Sequence, residues 1–164
     1  MRIYSWKEWG AKANPADLYS QTVASTGTVF LHHSVTRISR WASASQEREH
    51  MRMLERIHLG NGWSAVGYSF VVFPSGRIYR GRGFNHVTAA QAGHNTGNGA
   101  ICLVGDFTRD KTTWPQRRSV VEVARTFPGR NLSWHGKVNG TACPGANVKA
   151  VAPRIAELAR KRLI

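Results

Sequence analysis

Trp134-His135 is followed closely by Thr141-Ala142-Cys143-Pro144-Gly145, and far earlier in the chain stands Phe30-Leu31-His32-His33-Ser34. Two imidazoles and one thiolate drawn from such distant points make a three-ligand set that holds Zn²⁺ tetrahedrally and leaves the fourth position for water. That open position separates a catalytic zinc site from a structural one. His32 and His33 are neighbours, and side chains alternate between faces along a strand, so only one of the two faces such a site easily.

The elements that must position these groups read as alternating strands and helices. Thr28 to His32 is β-branched and aromatic and follows the turn-prone Ser25-Thr26-Gly27, which predicts a strand with His32 and His33 at its C-terminal end. Ser43 with Gln46 makes a capping-box start, and His50, Met53, Leu54 and Ile57 recur at helical spacing until Gly60. Tyr68 to Phe73, the Pro74-Ser75-Gly76 turn and Arg77 to Arg80 predict a hairpin, and Gly99 to Val104 a buried strand. Pro115 suits the first turn of a helix that continues through Val120, Val121, Val123 and Ala124. Asn131 to His135 is expected as a short strand. Val148, Val151, Ile155 and Leu158 stripe one face of a closing helix whose other face is basic. Interleaved strands and helices predict an α/β fold, a single domain with a central mixed β-sheet flanked by helices.

At 164 residues, 41% hydrophobic and with six Trp, the chain has the material for one core without staples. Cys102 lies in the apolar run Ala100-Ile101-Cys102-Leu103-Val104 and reads as core, which leaves Cys143 for ligation. Trp41, Trp63 and Trp114 are read as core, with stacking on sugar as the alternative. The first residues lack the apolar stretch of a secretory signal, and no segment approaches the ~20 apolar residues of a membrane span. The expectation is a soluble monomer without a transmembrane segment, made in the cytoplasm. Against nine Asp and Glu stand 23 Lys and Arg, a formal charge of +14 that attracts polyanions: nucleic acid, an anionic membrane face or an anionic wall polymer. A nucleic-acid binder with a structural zinc shows four ligands in close pairs and a basic recognition helix. That signature is missing, so no specific nucleic-acid partner is expected.

Four segments resemble, in order and spacing, the zinc-dependent N-acetylmuramoyl-L-alanine amidases, a family that includes phage lysozyme-type amidases and the peptidoglycan recognition proteins. They are Phe30-Leu31-His32-His33-Ser34-Val35-Thr36, Val66-Gly67-Tyr68-Ser69-Phe70, Ile101-Cys102-Leu103-Val104-Gly105-Asp106-Phe107, and His135 through Cys143-Pro144-Gly145. Trp9-Gly10-Ala11 resembles the opening of the recognition-protein branch, so the likeness runs from Trp6 to the final helix. The resemblance implies one catalytic domain over residues 1–164, Zn²⁺ as cofactor and peptidoglycan as substrate. The bond cut would join the lactyl group of N-acetylmuramic acid to the L-alanine of the stem peptide.

The resemblance also selects His32, His135 and Cys143 as zinc ligands and leaves His33 to packing, outer support of the site or substrate contact. Tyr68 matches the family tyrosine beside the metal, whose phenol donates to the metal-bound water or to the oxyanion forming at the substrate carbonyl. Thr141 matches a position held by Lys in some members and Thr in others; its hydroxyl orients an oxygen but supplies no positive charge. Many relatives place a His before the glycine of Ala89-Ala90-Gln91-Ala92-Gly93-His94-Asn95, where this chain has Ala90 and Gln91, so His94 and Asn95 are expected to line the groove instead. The chemistry follows from the resistance of an amide to neutral water: bound zinc lowers the pKa of a water from about 16 toward ~7 and polarises the carbonyl. No Glu sits in a His-Glu-type helix signature, and Asp106, at a strand end, is the remaining acid candidate for a role beyond structure, so proton movement is left to the metal-bound water with Tyr68 and Thr141. The setting implied is a phage endolysin that acts on the wall after release. A bacterial recycling amidase or a non-catalytic peptidoglycan-binding protein of the same fold is the alternative. The basic clusters, including Arg160, Lys161 and Arg162, read as a solvated, solubilising surface, with steering of the protein to an anionic envelope as the alternative.

Overall fold

The structure, a computed structural model, describes residues 1–129 and 131–161. Six strands, β1 (Ile3–Tyr4), β2 (Thr28–His33), β3 (Phe70–Val72), β4 (Ile78–Arg80), β5 (Gly99–Leu103) and β6 (Asn131–Trp134), form one sheet in the order β1-β4-β3-β5-β2-β6. Among the described residues of this sheet only the β3–β4 hairpin pairs antiparallel, so the sheet is mixed. The helices are α1 (Trp6–Trp9), α2 (Ala44–Gly60), α3 (Trp114–Arg125), α4 (Gly136–Asn139) and α5 (Ala146–Arg160). The whole is a single-domain α/β fold.

Strand alternation divides the core. Val29, Leu31, Phe70, Val72, Ile101 and Leu103 pack against Val120, Val123 and Phe127 on the α3 side and Val148 and Ile155 of α5. Val71, Tyr79, Cys102 and Val104 turn the other way, onto Met51 and Leu54 of α2 and onto Trp9. Each such fully buried Leu, Ile, Val or Phe contributes ~1.5–3 kcal/mol, which makes both helical layers necessary to hold β2. On β2 the same alternation pairs His32 with Cys102 in register, and His33 with Leu103. The two neighbouring histidines therefore serve opposite faces.

Local signals explain the helix starts. Ser43 accepts from the Gln46 N–H while the Gln46 side chain accepts from the Ser43 N–H, the capping box read from the sequence. Thr113 caps α3, with Pro115 in its first turn. The buried face of α2 is rotated from the apolar spacing: it carries Glu47, His50, Met51, Leu54, Glu55 and His58, while Ile57 is 47% exposed. The two acids are tolerated inside because they are bonded. Glu47 accepts from Ser75 and Tyr79, and Glu55 from the backbone N–H groups of Lys12 and Ala13.

The tryptophans also depart from the sequence reading. Trp41 and Trp114 are 79% and 63% exposed, not core, and each carries a guanidinium over its ring, Arg40 at 4.5 Å and Arg118 at 5.5 Å. Trp63, 37% exposed, packs on the His58 ring. Strand β3 begins at Phe70 rather than Tyr68, because Gly81 and Gly83 both direct their N–H groups to the Ser69 carbonyl and end the ladder there. At the far end of α5, Lys161 is paired with Glu157 at 2.7 Å; Arg162, the last of the basic trio, lies outside the described residues. Among the described residues no helix is long and apolar enough to cross a membrane.

Candidate metal centre

His32 ends the α2-facing side of β2 and is 1% exposed. Burial, with His135 beside it, pushes its imidazole down to about 3, so the ring is neutral at neutral pH. Its Nδ1 lies 3.7 Å from Cys143 Sγ, and its ring centroid 4.7 Å from that of His135. The candidate ligand atoms of His32, His135 and Cys143 all fall within 4.8 Å of one another. Tetrahedral Zn–N and Zn–S bonds of about 2.0 and 2.3 Å separate a nitrogen and a sulfur by roughly 3.5 Å. The observed 3.7 Å fits that donor set.

Parallel pairing of β6 with β2 delivers the second histidine. The Leu31 carbonyl accepts from the His135 N–H at 3.1 Å, which lays His135 beside His32 just as β6 gives way to α4. The strand expected to include His135 therefore stops at Trp134. The chain returns to the site through a tight contact, the Gly136 N–H on the Cys143 carbonyl at 2.9 Å. A Cβ at Gly136 would meet the Thr141 carbonyl oxygen at 2.2 Å and that of Cys143 at 2.7 Å. Only glycine lets His135 and Cys143 come together here. Burial raises the Cys143 thiol pKa, opposed by the His33 backbone and by the Lys149 charge.

Tyr68 leans over this cluster, its ring 5.3 Å from that of His32 and 5.4 Å from that of His58. Burial first, then the neighbouring Cys102 and Cys143, hold its phenol pKa well above the ordinary tyrosine value, so it remains a donor across neutral pH. Cys102 is wholly buried and free beneath it, as its apolar run implies. Thr141 accepts the Cys143 N–H on Oγ1 at 3.3 Å, keeping its hydroxyl beside the sulfur-bearing turn.

The other singled-out residues serve the walls. His33, on the opposite face, accepts the Phe107 N–H on Nδ1 at 3.3 Å. Asp106 accepts from the backbone and hydroxyl of Thr108, which with its hydrogen bonds lowers its pKa. His94 is exposed near Phe30, whereas the Asn95 side chain is turned inward onto its own loop. The sequence reading missed two residues bonded to the candidate ligands. Gln91 meets His32 Nε2 with Oε1 at 3.0 Å, and Asn139 donates its backbone N–H to the His135 carbonyl at 3.2 Å. Gln91 had a signal, as a polar residue where relatives differ; Asn139 had none.

Residues 23–146 match the family described as N-acetylmuramoyl-L-alanine amidase, Amidase_2. The N-acetylmuramoyl-L-alanine amidase of Homo sapiens is 30% identical over 128 residues, 73% of this chain but 22% of that protein, so the chain corresponds to a small part of that relative's length. The wild-type Drosophila peptidoglycan-recognition protein LB structure is similar with a TM-score of 0.80 at 27% identity, covering 91% of each chain. A structure of tracheal cytotoxin bound to the ectodomain complex of peptidoglycan recognition proteins LCa and LCx is similar with a TM-score of 0.82 at 26% identity, covering 92% of this chain and 95% of that one.

Proposed function

Because the chain belongs to the N-acetylmuramoyl-L-alanine amidase family, we propose that it is a zinc enzyme that hydrolyses the amide between N-acetylmuramic acid and the L-alanine of the peptidoglycan stem peptide. The observation that carries this reading is the convergence of His32, His135 and Cys143 within 4.8 Å beside the Tyr68 phenol. Zinc, when bound by those three side chains, supplies a Lewis acid for the carbonyl and acidifies a water to a pKa of about 7.

The chain's own groups do the rest. His32, buried and neutral, offers a lone pair rather than a proton. Tyr68, kept protonated by burial, donates to the substrate carbonyl oxygen as negative charge develops there. Thr141 accepts the Cys143 N–H and keeps its own hydroxyl proton for a substrate oxygen. A protein that only bound peptidoglycan would need the groove but not three converging metal donors, and their retention supports hydrolysis. The tracheal cytotoxin bound by the LCa–LCx complex supports a peptidoglycan fragment as the ligand class. The +14 charge suits an anionic envelope, and the setting we propose is wall lysis of the phage endolysin kind.

The test is digestion of purified peptidoglycan with analysis of the new ends. New L-alanine amino termini without new reducing sugar ends, lost on chelation and restored by zinc, are expected. Binding without new amino termini would leave a recognition module, and new reducing ends would mean a different bond.

A further inference from the structure

Residues 88–95 form a cradle around one amide. Asn95 Oδ1 accepts from the N–H groups of Ala90 and Gln91, each at 3.0 Å, and from Thr88 Oγ1 at 3.1 Å. Inside this loop Gln91 is wholly buried. Its NH₂ donates to Thr88 Oγ1 at 3.0 Å and to the His94 carbonyl at 3.2 Å. A carbonyl only accepts, so the His94 contact determines which end of the amide is nitrogen. Oε1 is thereby aimed at His32 Nε2, 3.0 Å away. An amide oxygen also only accepts, so Nε2 must carry the proton and Nδ1, the atom nearest Cys143 Sγ, must carry the lone pair.

The same loop reaches the second histidine. Asn139 donates through Nδ2 to the Ala92 carbonyl at 3.0 Å, and its backbone N–H donates to the His135 carbonyl at 3.2 Å. The His32 imidazole and the turn that carries His135 are thus both tied to a single loop that contributes none of the candidate ligands.

We propose that Gln91 is a positioning residue that locks the Nε2–H tautomer of His32, and that the 88–95 loop is the template that presents the metal-binding nitrogen before any metal arrives. The metal part of this proposal rests on the zinc reading given above; the tautomer part does not. Histidine orientation by outer hydrogen-bond partners is commonly worth about 10–100-fold in metal affinity.

Two measurements test it: ¹⁵N-histidine NMR of the metal-free protein, which reads the tautomer, and zinc affinity by chelator competition. The wild-type protein is expected to show His32 as the single Nε2–H tautomer. Gln91→Met keeps the length and removes acceptor and donor together; mixed tautomers and about 10–100-fold weaker zinc binding are expected. Gln91→Glu restores an acceptor toward His32 and is expected to restore the Nε2–H form. A folded Gln91→Met protein with the wild-type tautomer and zinc affinity overturns the proposal. Should the Met variant not fold, a folded Gln91→Glu protein that has lost the Nε2–H form overturns it equally. If the wild-type chain binds no zinc and releases no L-alanine termini, the proposed function fails, yet the metal-free spectra still decide the role of Gln91.

Discussion

The cluster of candidate ligands asks different things of neighbouring residues. His32 offers Nδ1 to the Cys143 side, whereas His33 accepts the Phe107 N–H behind the sheet. We expect His32→Ala to abolish zinc binding and His33→Ala to weaken it only modestly, as read by metal analysis after dialysis; the reverse order would mean that the wrong histidine has been assigned. We propose Tyr68 as a hydrogen-bond donor rather than a ligand, so Tyr68→Phe should retain zinc and lower kcat by roughly 10²–10³, the loss typical of one oxyanion donor. Unchanged turnover would make its ring a packing group. The convergence of His32, His135 and Cys143 was legible in the sequence because imidazoles and a thiol at those points of a recognisable pattern have few other uses. Gln91 and Asn139 were not, because what an amide does depends on which way it is turned. That is decided by the His94 and Ala92 carbonyls, groups invisible in a side-chain pattern.

At the scale of elements, the parts with strong local chemistry were legible. The Ser43–Gln46 box starts α2 and Thr113 with Pro115 starts α3, since caps act within a few residues. Strand β1 and helix α1 were not read, because a two-residue strand exists only through its pairing with β4. The rotation of α2 was hidden as well, since the partners that make Glu47 and Glu55 tolerable come from distant segments. The turn after β6 yields a sharp expectation. A methyl group at position 136 collides with two carbonyl oxygens, so Gly136→Ala should push the Cys143 turn away from His135 and destabilise by about 1–3 kcal/mol, the usual range for overpacking. Zinc affinity should fall with it. Gly60, the last residue of α2, has open space around its Cβ position, so Gly60→Ala should instead stabilise by roughly 0.5–1 kcal/mol. Thermal denaturation of the two variants beside the wild type checks both signs, and equal shifts would remove the steric argument.

The whole molecule stores its histidines largely inside, and this has a consequence that belongs to no single site. The strand order β1-β4-β3-β5-β2-β6 was not legible, because it is set by long-range pairing, but it buries His32 and His33 in the sheet while α2 buries His50 and His58. Burial lowers the pKa of each of them and of His135, to about 3 for His32 and about 4 for His58. In the unfolded chain these rings titrate near ~6.5. Below that pH the unfolded chain takes up protons that the folded chain refuses, so folding stability falls as pH falls. The loss runs from about 6.5 down through the folded values; above that window the histidines contribute no slope. Glu47, whose pKa burial raises, opposes the trend at the acid end, while Glu49 and Glu157, whose pKa values hydrogen bonds to basic partners lower, reinforce it. Each fully responding histidine gives up to ~1.4 kcal/mol per pH unit. For a chain of this size about 1 kcal/mol moves Tm by ~2–4 °C. The metal-free protein should therefore melt several degrees lower at pH 5 than at pH 7. Zinc should widen the gap, because it binds the neutral imidazoles and the thiolate, and acid displaces it. Calorimetry across pH 5–8, with and without zinc, decides the matter: a flat metal-free Tm from pH 7 to pH 5 would mean that the buried rings take up protons as readily folded as unfolded.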